Sequence, residues 1–148
     1  MYCNGIQSYR KTDISTSDPA KLVIMCYEGA IDSLKLAIEK VKERDYEKKA
    51  KSIIKAKDII NELLCSLDFE RGGEIANNLS SIYNYMLRRI IYGDVNKDMG
   101  AIGEVIGMLN ELLSAWQEVA SKPESHVQSE QENVYQEKRA IGSGHISV

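Results

Sequence analysis

Apolar residues return every three or four positions along four stretches of about 20 residues, each bounded by residues that start or stop helices, which confines the chain to helix-on-helix packing. The first stretch opens at Asp18 and Pro19, an N-cap acceptor followed by the residue best tolerated at the first helical position, and runs to about Arg44. Its solvent face is Lys21, Glu28, Asp32, Lys35, Glu39 and Lys42, and the charge run around Asp45 reads as a solvated face and a turn. The second, about Tyr46 to Leu67, carries Ala50, Ile53, Ala56, Ile60, Leu63 and Leu67 on one face. Asp68 to Gly73 then reads as a tight turn, with Gly72 and Gly73 free to adopt positive φ. The third runs from Glu74 to about Tyr92 through Ile75, Leu79, Ile82, Tyr83, Met86 and Ile90, and Gly93-Asp94 closes it. Asp98 caps the fourth, which continues through Ile102, Val105, Ile106, Leu109, Leu112 and Trp116 to about Ala120.

Four such helices joined by short turns predict an all-α fold, an antiparallel up-down four-helix bundle with an N-terminal lead segment and a C-terminal tail. A chain of 148 residues suits one core, so 1–122 form the bundle domain with its lead and 123–148 a polar tail, with some helix between Glu124 and Arg139. Two Pro, one Phe and one Trp argue against a strand-rich sandwich.

Lys and Arg number 19 against 22 Asp and Glu, a net charge of -3 that leaves no footprint for a phosphate backbone, so nucleic acid is not an expected partner. Met1 to Asp18 is polar, and no run approaches the roughly 18 apolar residues of a membrane span, so neither a signal peptide nor membrane insertion is expected and the chain should be cytoplasmic. Cys3, Cys26 and Cys65 are odd in number and lack CxxC spacing, which favours reduced thiols over a disulfide frame or a zinc knuckle.

Bundle chemistry needs histidine inside the bundle, whether as Glu-x-x-His pairs for a di-iron centre or as an exposed His for phosphorelay. His126 and His145 are the only histidines, and both sit in the tail. HExxH and GxSxG are absent, Gly72-Gly73 lacks the strand and Lys of a phosphate loop, and Glu62 with Asp58 has the spacing of an ordinary polar face. The expectation is a protein without catalysis, metal or cofactor.

At 100° per residue, the apolar arc of the second helix exceeds the stripe one buried face requires, with Ile54 and Ile59 at its edges. The third is wider still: Tyr85, Leu87 and Ile91 extend the arc and leave Asn77, Ser81, Asn84 and Arg88 as a narrow polar strip. Such width serves either several bundle neighbours or a groove for another helix. Ile54, Leu87 and Ile91, at the arc edges, are the expected partner contacts. On the fourth helix, Gly100, Gly103 and Gly107 line one face above Ser114. Each interior Gly costs up to about 1 kcal/mol relative to Ala, so the track should admit a neighbouring backbone, the bundle's own helix before a docked one.

Over Ile6 to Val119 the chain resembles the FliS family of flagellin chaperones. The matching stretches are Tyr9-Arg-Lys-Thr-Asp-Ile-Ser-Thr-Ser-Asp-Pro-Ala-Lys-Leu22, Tyr27-Glu-Gly-Ala-Ile31 and Ile59-Ile-Asn-Glu-Leu63. Ser66-Leu-Asp-Phe-Glu-Arg-Gly-Gly-Glu-Ile-Ala-Asn-Asn-Leu79, Ile82-Tyr-Asn-Tyr-Met86 and Ala115-Trp116 follow in register. The resemblance implies a cytosolic bundle without cofactor that binds the disordered C-terminal segment of flagellin, prevents premature polymerisation and delivers it to the flagellar type III export machinery. It also implies that the lead lies over the groove when the client is absent, which assigns Ile6 and Tyr9 a gating role, with Asn61, Leu64 and Tyr83 as further partner contacts; a homodimer is compatible with it. Two rivals are an unrelated helical adaptor or oligomerisation module, separable by flagellin pull-down, and a metal-dependent bundle enzyme, separable by metal assay.

Overall fold

The structure, a computed structural model, describes residues 19–122. Ile6 and Tyr9 of the lead, and the helix expected in 124–139, lie outside the described residues. Four helices follow one another: α1 (Pro19–Lys42), α2 (Tyr46–Cys65), α3 (Phe69–Val95) and α4 (Met99–Ser121). Each packs against the next, and α4 returns to α1, so the ring closes as an up-down bundle. The connections are residues 43–45, 66–68 and 96–98, too short for anything but antiparallel neighbours. Among the described residues no helix is long and apolar enough to cross a membrane.

Each connection ends in an aspartate that caps the next helix. Asp45 accepts from Lys48 N–H at 3.1 Å, Asp68 from Glu70 and Arg71 N–H at 3.1 Å each, and Asp98 from Ala101 N–H at 3.3 Å. Each cap satisfies helix donors that would otherwise lack partners, an effect of about 1 kcal/mol. At the other ends the chain leaves α1 and α3 through left-handed residues that are not glycine, Arg44 (φ 61°) and Lys97 (φ 54°).

The third helix departs from the sequence reading at both ends. Asp68 does not belong to a loop running to Gly73; it caps a helical turn that begins at Phe69, with Gly72 N–H donating to Asp68 O at 2.7 Å. The break falls on Gly73 alone (φ 51°, ψ −123°), a backbone that L side chains rarely adopt. A pair of breakers does not reveal on which side the helix begins; here the cap decides. At the far end Gly93 does not close the helix, which continues to Val95. Gly93 is buried, and a Cβ there would stand 2.8 Å from the Asp98 carbonyl oxygen and 2.9 Å from Ile102 Cδ1. It is glycine because the end of α3 and the start of α4 touch.

Ile53, Ala56, Ile60 and Leu63 of α2 and Ala76, Tyr83, Met86 and Ile90 of α3 point into the core beside Tyr27, Leu34, Ile102 and Leu109. Steps of three and four from Ala76 give the true stripe of α3, so Ile75, one position out of phase, is 71% exposed rather than buried. Ala50 likewise lies exposed, ahead of the stripe that starts at Ile53. Cys26 is a free buried thiol; Cys3 lies outside the described residues.

Candidate partner-binding face

The seam between α2 and α3 gathers most of the residues expected to meet a partner. An ion pair near one end marks its register, Lys49 Nζ to Asp94 Oδ1 at 2.5 Å. At about 1.5 Å rise per residue, Ile91 lies about 4.5 Å from that pair along α3, Leu87 about 10.5 Å, and Ile54 about 7.5 Å along α2, so the three share one band of the seam. Ile54 is 53% and Ile91 48% exposed, while Leu87 is half-buried and packs on the core. Asn61, seven residues beyond Ile54 and therefore on the same edge of α2, is half-buried, and Leu64 packs against the core one turn further on.

Tyr83 does not belong with them. It is 2% exposed, its ring 6.4 Å from that of Tyr27, and the two hydroxyl oxygens stand 2.5 Å apart across the bundle. Trp116 Nε1 donates to the Tyr27 hydroxyl at 3.1 Å, which ties α1, α3 and α4 together through one polar chain. Burial pushes both tyrosine hydroxyls above their ordinary range, in Tyr27 against the opposing effect of its hydrogen bonds. Both therefore stay protonated, and Tyr83 can reach a partner only if the core opens. Spacing had placed Tyr83 correctly in the apolar stripe, and the contact role expected of it has no surface to act from.

Two further features depart from the periodic reading or lie outside it, the first being Glu62, whose spacing had placed it on an ordinary polar face. Glu62 is buried at the seam of α1 and α2, and its Oε2 has no hydrogen-bond partner among the described residues. Burial and then the Glu62 charge push the neighbouring Cys26 thiol up to about 11, so it stays protonated at neutral pH. Across α3 and α4, Glu104 takes Arg89 Nε at 2.7 Å and the Tyr85 hydroxyl at 3.1 Å, and the Arg89 guanidinium lies 4.8 Å from the Tyr92 ring centre. Arg89 and Tyr85 hold the Glu104 carboxyl below its ordinary value, so this exposed clasp persists at neutral pH and is lost as pH falls through that lowered value.

The glycine track of α4 does not pack inside the bundle. Gly103 and Gly107 are exposed, and a Cβ at either would meet nothing within 4 Å; at Gly100 it would meet only the Asp98 cap at 3.0 Å. Ile102, Val105 and Leu109 take the core side, which turns the glycines outward. Among the described residues no group of three His, Cys, Asp or Glu could hold a metal ion.

Residues 2–123 match the family model of the flagellar protein FliS. The flagellar secretion chaperone FliS of Salmonella typhimurium is 36% identical over 128 residues, which cover 82% of this chain and 95% of that protein. Its namesake from Bacillus subtilis is 30% identical over 115 residues, 78% of this chain and 85% of the other. The one from Vibrio cholerae is 32% identical over 126 residues, with 82% and 91% covered.

Proposed function

The chain belongs to the flagellar protein FliS family, and from that premise we propose that it is a flagellar secretion chaperone that binds the disordered C-terminal segment of flagellin in the cytoplasm. It holds that segment against premature polymerisation and hands it to the export machinery. It works by burying a helical segment and performs no chemistry. The observation that carries this reading is the pair Ile54 and Ile91, two large apolar side chains left half in water on one band of a seam whose floor is already closed by the core. A soluble protein gains by covering such a pair, and a segment that folds as it binds can do so, with part of the interaction energy spent on ordering the client.

In this reading the lead covers part of the same seam through Ile6 and Tyr9 when no client is present. The test is co-purification of the full chain with a flagellin C-terminal peptide, beside a lead variant carrying Ile6→Ala and Tyr9→Ala. A stoichiometric complex whose affinity changes in the lead variant is expected. No complex with the peptide would leave the unrelated helical adaptor as the better account.

A further inference from the structure

On the other flank of α2, about 100° from Ile54, the seam with α1 opens into a groove of about 400 Å³. Its floor is thin because Gly29, Ser33 and Ser52 line it, and both serine hydroxyls turn back onto their own helices, Ser33 to Gly29 O and Ser52 to Lys48 O, at 2.8 Å each. Leu36 stands half-exposed on one rim. Lys48, Lys51 and Lys55 form the other, at steps of three and four along α2. Among the described residues Asp32 is the one carboxylate lining the groove. Lys48 and Lys51 have only loose partners on their own helix and cap, Asp45 at 3.7 Å and Glu47 at 3.4 Å, and Lys55 is in no ion pair among the described residues. The site is an apolar trough with a cationic edge.

We propose that this groove is the docking site of the chain's own segment Glu130–Glu137, its carboxylates on the lysine row and Val134 against Leu36. The segment lies beyond residue 123, where the family match ends. It holds Glu130, Glu132 and Glu137 and no Lys or Arg. In helical form Glu130, Val134 and Glu137 share one face, and seven residues separate Glu130 from Glu137 as seven separate Lys48 from Lys55, about 10.5 Å in each. Reach is sufficient. Trp116 meets Tyr27, so the end of α4 lies beside the start of α1, and the centre of the groove is about ten residues, or about 15 Å, further along α1. The eight residues from 122 to 129 span up to about 26 Å extended, enough to cross α1 and arrive at the groove. Single exposed ion pairs contribute little, but tethering holds the segment at an effective concentration of order millimolar, so a weak contact is still populated.

The test is amide NMR of the full-length protein, comparing Gly29, Ser33 and Ser52 in the native chain, in a tail reversal (Glu130→Lys with Glu137→Lys), in a groove reversal (Lys48→Glu with Lys55→Glu) and in the combined charge swap. The tail reversal changes no residue of the bundle and leaves its fold intact. Expected is a shift of the three amides in the tail reversal, reproduced in the native chain at about 1 M salt, where screening shortens to about 3 Å, with the native positions restored by the swap. Amides that ignore the tail reversal would overturn the docking. Shifts that vanish on dilution would overturn the intramolecular form and give the groove to the tail of a second copy.

Discussion

Tyr27, Tyr83 and Trp116 bring three donors, two O–H and one N–H, to a chain that contains two hydrogen bonds. Tyr27 is the hub: it accepts from Trp116 and shares a hydrogen bond with Tyr83. Removing the Tyr83 hydroxyl leaves one group short of a partner, whereas removing the Tyr27 hydroxyl strands both neighbours. With about 1 to 3 kcal/mol for each buried polar group left unsatisfied, Tyr83→Phe should destabilise by about 1 to 2 kcal/mol and Tyr27→Phe by about 1 kcal/mol more. Trp116 is only half-buried, so water offsets part of its loss. Urea unfolding followed by far-UV circular dichroism gives both values, and equal costs would mean that Tyr27 is not the hub. Periodicity puts these residues on the inner side of their helices and stops there. That two tyrosines on opposite helices meet tip to tip depends on the rotation and axial shift of whole helices, which the spacing along one helix does not contain.

Glycine tells the same story for the elements, because one residue type does three jobs here. Gly73 supplies a positive φ within α3, Gly93 admits the backbone at the start of α4, and Gly103 and Gly107 face open space. Helix existence and type were legible from apolar spacing and aspartate caps, and so was the order of the bundle. The start of α3 was not, since its first turn hangs on the Asp68 cap against a following glycine pair. Nor was the outward aspect of the glycine track, which follows from the phase of Ile102, Val105 and Leu109. The three jobs predict two signs. Gly93→Ala forces a Cβ against a carbonyl oxygen and an isoleucine and should cost about 1 to 3 kcal/mol by overpacking. Gly73→Ala loses a backbone angle only glycine takes easily and should cost about 1 to 2 kcal/mol. Gly103→Ala and Gly107→Ala meet nothing and should each stabilise by up to about 1 kcal/mol through helix propensity. Thermal unfolding of the single variants reads all four, and a destabilised Gly103→Ala or Gly107→Ala would show that a close neighbour covers the track.

For the whole molecule the question is how a closed ring of four helices leaves large apolar side chains in water without opening its core. The answer lies in where each residue of the α2–α3 seam sits across its arc: Ile53, Ile60 and Ile90 close the floor, while Ile54 and Ile91 are turned about 100° from Ile53 and Ile90 and stay in water. The sequence reading of an over-wide arc found Ile54 and Ile91 for this reason, and it also took Leu87 for an edge although that side chain leans on the core. Stability and affinity should therefore separate by residue. A fully buried Ile or Leu cut to Ala typically costs about 2 to 5 kcal/mol, but Ile54→Ala and Ile91→Ala should cost about 1 kcal/mol or less in the free protein, with Leu87→Ala between. Against a flagellin C-terminal segment the order should invert, with Ile54→Ala and Ile91→Ala each weakening binding by about 1 to 2 kcal/mol, roughly five- to thirty-fold in Kd, if they are anchors of the interface. Paired measurements on the same preparations, unfolding free energy without client and calorimetric titration with it, decide between a surface that recognises and one that is merely wide. Core-sized losses of stability with unchanged affinity per folded molecule would mean that the seam serves the bundle alone, and the outward glycine face of α4 would then be the next surface to examine for the client.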